Sequence, residues 1–170
     1  MSKYLIIHDL QEDKAKELFG KMQEASDSIC FSTIPAVKPC LGCFKCWTKT
    51  PGKCIIADRN SDLPIQLAQC EKMIIISRQV YGGYSPEVKA SIDRMIPYLL
   101  PYFRIVNGEM HHTMRYDKEL SIHVHFYGGK LEEEEAIGRK LVKGNAVNLG
   151  AEQYSVSFYP SVSELKEVFS

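Results

Sequence analysis

The sequence predicts an α/β protein: a parallel sheet covered by helices on both faces. Strand-like and helix-like segments alternate along nearly the whole chain, about five of each, the arrangement that βαβ units require. Strand segments such as "KYLIIHD" and "MIIISRQV" are short, nearly continuous apolar runs, as expected for strands covered on both sides. Helix punctuation falls in the right places, with Pro64 and Ser85-Pro86 opening helices and Gly150 closing one.

Taken in order, "KYLIIHD" is the first strand. "LQEDKAKELFGKMQEA" is a helix carrying Ala15, Leu18, Phe19 and Met22 at helical spacing. "SICFSTI" is the second strand, and residues 35–60 form a cysteine-bearing loop. "SDLPIQLAQCEK" starts a helix behind a Ser61 or Asp62 cap. The third strand, "MIIISRQV", leads through a "YGGYS" turn to the helix "SPEVKASIDRMIPYLL", ended or bent near Pro97. Residues 100–118 are aromatic and irregular, an excursion from the core. "ELSIHVHFYGG" sets Ile122, Val124 and Phe126 against polar residues, a strand with unlike faces. "KLEEEEAIGRKLVKGNAVNLG" is a helix with Glu132–Glu135 in its solvated first turn, matching the helix dipole. "QYSVSFYP" and "SVSELKEVF" add a last strand and helix. With no repeat or linker, residues 1–170 read as one domain.

Composition narrows the function classes. Apolar residues are 45% and charged residues 25%, and 21 basic residues balance 21 acidic ones. That balance gives no basic footprint for nucleic acid or an anionic membrane. No apolar run approaches the ~20 residues of a membrane span, and the N-terminus has no separate cleavable hydrophobic region. A cytoplasmic setting is expected, where thiols stay reduced and clustered cysteines favour metal or redox chemistry.

In sheets of this kind ligands bind beyond the carboxyl ends of the strands. The loops to search are residues 8–13, 35–60, 78–86 and 127–130. The second holds Cys40, Cys43, Cys46 and Cys54, spaced C-x2-C-x2-C-x7-C. Three readings stay open: an iron–sulfur cage, reactive or buried thiols without metal, and a zinc site. Trp47 anchors the loop, while Cys30 and Cys70 read as core residues. His111–His112 and His123/His125 permit metal binding but have no acidic partner spaced with them. Arg78, Asp93 and Arg94 suit ordinary ion pairs. No nucleophile elbow, Walker loop or dinucleotide fingerprint is present.

The motifs "PCLGCFKCWTKTPGKC", "YGGYSPEVKASIDR" and "GEMHHTMRY" in this α/β order resemble the flavodoxin-like NAD(P)H-dependent FMN reductases and iron–sulfur flavoproteins. The resemblance implies a doubly wound five-stranded parallel sheet of order 2-1-3-4-5. It implies FMN along the carboxyl edge, NAD(P)H as donor and a separate electron acceptor. The flavin would be touched by Arg78, Gln79, Val80, Tyr81, Gly82, Gly83, Tyr84 and Ser85, with Tyr81 or Tyr84 stacking on the ring. Tyr127, Gly128 and Gly129 would form the next loop. Cys40, Cys43, Cys46 and Cys54 would hold a [4Fe–4S] cluster. "GEMHHTMRY" would cover the flavin edge or meet a second subunit in a homo-oligomer. Two loops depart from the family: "HDLQEDKAKELF" has no glycine before Gly20 and sets Asp9, Glu12 and Asp13 where the FMN phosphate is usually wrapped, and "SRQVYGG" has Arg78 and Gln79 where many relatives carry a Pro and a small residue. Asp9 or Glu12 is expected to cap the first helix, and Arg78 could supply a replacement phosphate contact. Two functions follow. One is a flavin-based oxidoreductase or electron carrier with no nameable catalytic side chain. The other is a binding or structural subunit that has lost FMN, its cysteines vestigial, zinc-binding or redox-sensing.

Overall fold

The computed structural model describes residues 3–25, 28–129 and 131–169. In chain order the elements are β1 (Tyr4–His8), α1 (Glu12–Ala25), β2 (Ile29–Ser32), α2 (Lys45–Thr48), α3 (Leu63–Ala68) and β3 (Lys72–Arg78). Next come α4 (Pro86–Asp93), β4 (Leu99–Val106), β5 (Glu109–Met114), β6 (Ser121–Tyr127), α5 (Glu132–Leu149), β7 (Gln153–Tyr159) and α6 (Lys166–Phe169). The main sheet is parallel throughout and ordered β2-β1-β3-β6-β7. Counting only its own strands, that is the expected 2-1-3-4-5.

The apolar runs are explained by burial on both faces. Leu5, Ile7, Met73, Ile75, Ile122 and Val124 pack on one side with Leu63 and Leu67 of α3, Val88 of α4 and Val142 and Ala146 of α5. The intervening Ile6, Ile74 and Ile76 pack on the other side with Leu18 and Phe19 of α1 and Leu165 ahead of α6. Each such side chain contributes about 1.5–3 kcal/mol when taken out of water, so a strand with apolar residues on both faces is held from both sides.

Local signals act largely as expected. Ser85 caps α4, its Oγ accepting from the Val88 N–H at 3.4 Å. Gly150 takes φ 67° at the end of α5, a left-handed position that favours glycine. Two details differ. Asp62 stands at the N-terminus of α3 but turns to Lys53, 2.6 Å away, instead of capping. The helix α4 stops at Asp93, and Pro97 lies in a separate 3-10 turn, Ile96–Tyr98.

The segment read as irregular, 100–118, is largely regular. The strands β4 and β5 form an antiparallel hairpin outside the main sheet, Phe103 opposite His112 and Ile105 opposite Met110. Its turn is Asn107-Gly108, with φ of 52° and 83°, the two positive values that suit a tight hairpin.

Candidate functional site

At the carboxyl edge, the ends of β1, β3 and β6 meet on Asp9. Both Asp9 carboxylate oxygens accept from the Arg78 backbone N–H, at 3.2 and 3.0 Å, and Oδ1 also accepts from the Tyr127 hydroxyl at 3.0 Å. Burial, then the adjoining Asp9 charge, push the Tyr127 hydroxyl well above its ordinary pKa, so it remains a donor. The expectation that Asp9 or Glu12 caps α1 is corrected. Asp9 ties strand ends together, and the exposed Glu12 pairs with Lys16 at 2.7 Å. The Asp9 N–H donates to the Ile76 carbonyl at 3.3 Å and the Leu10 N–H to His8 Nδ1 at 3.2 Å. Neither is directed at a ligand. Beside them is a cavity of about 310 Å³ lined by Asp9, Lys14, Arg78, Glu87 and Tyr127, two carboxylates facing two cations.

The loop after β3 is a tight turn. Val80 and Gly83 exchange both backbone hydrogen bonds, at 3.0 and 2.9 Å, with Tyr81 and Gly82 between them at φ 50° and 76°. Only Tyr81 projects freely, 89% exposed. The Tyr84 ring is buried against Phe126, its hydroxyl accepting from Asn145 at 3.2 Å, and burial raises its pKa to about 12. Ser85 is buried and spent on the α4 cap. The side chain of Gln79 presses on Gly129, where an added Cβ would lie 1.8 Å from Gln79 Oε1, so the β3 and β6 loops touch directly. Gln79 Nε2 is buried with no hydrogen-bond partner among the described residues. Gly128 takes φ 77° beside the Arg78 side chain.

The glycine of this turn serves α5. A Cβ on Gly82 would meet Ile137 Cβ at 2.7 Å and the Glu134 carbonyl at 3.0 Å. Gly82→Ala should therefore cost about 1–3 kcal/mol in equilibrium denaturation. Gly108→Ala shares the positive φ, 83°, but meets nothing within 4 Å, and should cost less. Equal losses would refute the packing argument.

The cysteine loop leaves the carboxyl edge and runs away from it. Cys40, Cys43, Cys46 and Cys54 line one small cavity, about 20 Å³, with Ile56, Ile96, Pro97 and Arg94. Arg94 follows α4, and α4 runs from the carboxyl edge back across the sheet. The cysteines, which the sequence places at the carboxyl edge, thus gather around the residue that follows the far end of α4. Trp47 holds the loop there as expected, its indole N–H donating to the Leu99 carbonyl at 3.0 Å, its ring stacked on Phe44 and tilted against His112. Burial first, then the neighbouring Cys54, Cys40 and Cys43, raise the Cys46 thiol above its ordinary pKa. Among the described residues no three His, Cys, Asp or Glu side chains converge as a single metal ion would need. That covers His111–His112 and His123/His125; His123 Nδ1 meets Ser155 Oγ at 2.8 Å and His125 Nδ1 meets the Tyr159 hydroxyl at 3.3 Å.

Sequence reasoning missed the importance of Arg94. It is 1% exposed and pairs with Asp58, Nη1 to Oδ2 at 2.6 Å and Nη2 to Oδ1 at 2.8 Å. It also donates to the Lys38 and Ile56 carbonyls at 3.0 and 3.1 Å. Asp93, its expected alternative in an ion pair, bonds Lys89 instead. A large apolar cavity, about 500 Å³, adjoins the thiols and is lined by Cys40, Phe44, Trp47, Met95, His112 and Asn145.

No protein-family model matches the chain, and no curated protein matches it. Solved structures do. An NAD(P)H:quinone oxidoreductase from Methanothermobacter marburgensis superposes with TM-score 0.64 at 10% identity, over 98% of this chain and 90% of that one. An FMN-dependent NADH-azoreductase from Bacillus anthracis, solved with FMN, gives 0.59 at 13% identity, over 98% and 93%. An NADH:FMN oxidoreductase in its apo form gives 0.55 at 10% identity, over 100% and 81%. The parallel order 2-1-3-4-5 decides the architecture. The fold is flavodoxin-like. Identities this low establish the fold and no more. Among the described residues no helix of this flavodoxin-like chain is long and apolar enough to cross a membrane.

Proposed function

We propose that the protein is an oxidoreductase or electron-transfer protein in which Cys40, Cys43, Cys46 and Cys54 hold a [4Fe–4S] cluster, with a flavin and NAD(P)H as its exchange partners. One observation carries the reading: four thiols separated by up to fourteen residues face one cavity walled by Ile56, Ile96 and Pro97. The donor set suits such a cluster, because each thiolate takes a different iron and the four need not converge on a point as they must for zinc. A cluster held there supplies one-electron exchange. The chain's own part is to fix the loop through Trp47 and to back the half-buried Cys46 and Cys54 with an apolar wall, while Cys40 and Cys43 stand exposed.

The flavin part rests on the fold and on the cavity of about 310 Å³ at the carboxyl edge. FMN's phosphate does not fit there. The Asp9 and Leu10 N–H groups are occupied, and the cations Lys14 and Arg78 are matched by the carboxylates Asp9 and Glu87, so the space offers an anion no net positive charge. FMN should consequently bind no more than about threefold tighter than riboflavin in fluorescence titrations, and Asp9→Asn should favour FMN selectively. A large preference for FMN in the native protein would refute this account of the edge. A second reading, a flavodoxin-fold binding subunit without flavin, is favoured by the same Asp9 arrangement.

The deciding experiment is an optical spectrum of protein purified without oxygen, with iron and zinc assayed on the same sample. Broad visible absorption with about four irons per chain supports the cluster. Iron-free, colourless protein that ignores both flavins overturns the oxidoreductase reading and leaves the second. The exposed Tyr102, Phe103, Ile105 and Met110 of the hairpin suit contact with a second copy, which sedimentation would detect.

A further inference from the structure

We propose that Arg94 is the built-in counter-charge of the four-cysteine cavity, a positioning residue that sets the reduction potential of the group held there. The proposal rests on the cluster reading above and deepens it. Buried arginine donors are normally paired. Arg94 spends four of its five N–H bonds that way: two on the Asp58 carboxylate, one each on the Lys38 and Ile56 carbonyls. The fifth, on Nε, is buried with no hydrogen-bond partner among the described residues. Its side chain is 0% exposed, so the donor is closed off from the protein surface and opens only toward the interior.

The unpartnered N–H belongs to a residue that lines the cavity with all four cysteines, and Cys54 is close enough to act electrostatically on the guanidinium. Leaving a buried charged donor unmade costs on the order of 1–3 kcal/mol. A thiolate at Cys54, as a cluster requires, would accept from it and remove that cost. Four thiolates around a [4Fe–4S] core leave a net negative group, and each added electron makes it more so. A fixed cation beside one sulfur therefore favours the reduced state, the lever by which hydrogen bonds to sulfur raise cluster potentials. Asp58 is the opposing half. Its carboxylate is on the far side of the guanidinium from Nε and offsets part of that charge. The Arg94–Asp58 pair is thus a dipole with its positive end toward the thiols.

The test uses the full chain purified without oxygen, its visible absorption followed during reductive titration with dithionite. Asp58→Asn should raise the potential and Arg94→Gln should lower it. Each should change the reduced-to-oxidised ratio at fixed solution potential about tenfold, roughly 59 mV for a one-electron couple. Opposite signs are the signature, because loosening of the loop alone would not move the two variants in opposite directions. Where Arg94→Gln does not fold, Asp58→Asn decides alone, since it keeps the guanidinium and its carbonyl contacts. Iron retained with a change under twofold, or shifts of the same sign, overturns the role of Arg94 and leaves the cluster standing. Native protein without iron overturns the cluster reading and this proposal together.

Discussion

Cys43→Ser should remove essentially all iron from protein purified without oxygen, while Cys30→Ser leaves the iron content unchanged. Cys43 lines the four-thiol cavity, whereas Cys30 lies on β2, packed against the Ile6–Ile76 layer. A serine hydroxyl is a hard, neutral ligand at pH 7 and a poor substitute for a thiolate on iron. Metal affinity falls steeply when one of four ligands is lost, because the loop must still give up its freedom to close the cage. The raised thiol at Cys46 means that the metal-free cavity holds protons, which binding must displace. Iron assay and visible absorption on the same preparations check the prediction. Undiminished iron in Cys43→Ser would remove the cage, and parallel loss in Cys30→Ser would point to a general loss of structure instead.

The fold was legible because its signals are local and agree with one another. Apolar runs too uniform for a half-exposed strand marked β1 and β3 as buried strands, and Ser85 and Gly150 marked helix ends that the structure places there. The hairpin was missed for a corresponding reason. Exposed Tyr102, Phe103, Ile105 and Met110 break the alternation expected of a two-stranded ribbon. Its one clear signal was the Asn107-Gly108 pair.

The site was legible only in its ingredients. Spacing identified Cys40, Cys43, Cys46 and Cys54 as a potential ligand set, but could not say toward which end of α4 the loop would carry them. Asp9 read as a helix cap because capping is a local rule; its hydroxyl donor, Tyr127, is 118 positions away. Arg94 read as a routine ion-pair residue, and its pairing with Asp58 across 36 positions exists only once the loop folds over α4. Partners set by the fold of the whole chain leave no periodic trace in sequence.

Acidification from pH 6.5 to 4 should cost several kcal/mol of folding stability, through two histidines buried on the same layer of the sheet. His8 is 2% exposed and His125 9%, and burial lowers both to about pKa 4. His8 packs against Phe19 and His125 against Phe169, while Phe19 and Phe169 meet edge to face. The Leu10 N–H donates to His8 Nδ1, which requires that nitrogen to be unprotonated. Since the folded values lie below the ordinary ~6.5, the unfolded chain takes up protons first as pH falls. The stabilisation is complete above pH 6.5 and is lost progressively down to about 4. Each histidine contributes a slope of about 1.4 kcal/mol per pH unit across that window. Together they can consume much of a typical margin of ~5–15 kcal/mol. Urea denaturation between pH 7.5 and 4 measures the slope directly. His8→Asn keeps an acceptor for Leu10, and His125→Asn keeps one near Tyr159, so each should remove about half of the slope without removing the packing layer. A stability flat across this window, or a double variant with the full slope, would show that the acid response comes from other groups. Asp58, held below the usual carboxylate range by Arg94, acts lower: its contribution is present above the ordinary Asp value and is lost only as pH falls through its depressed one. The histidine window and the Arg94–Asp58 pair are therefore separable by pH, and loss of stability above pH 4.5 reports on the Phe19–Phe169 layer and not on the cysteine cavity.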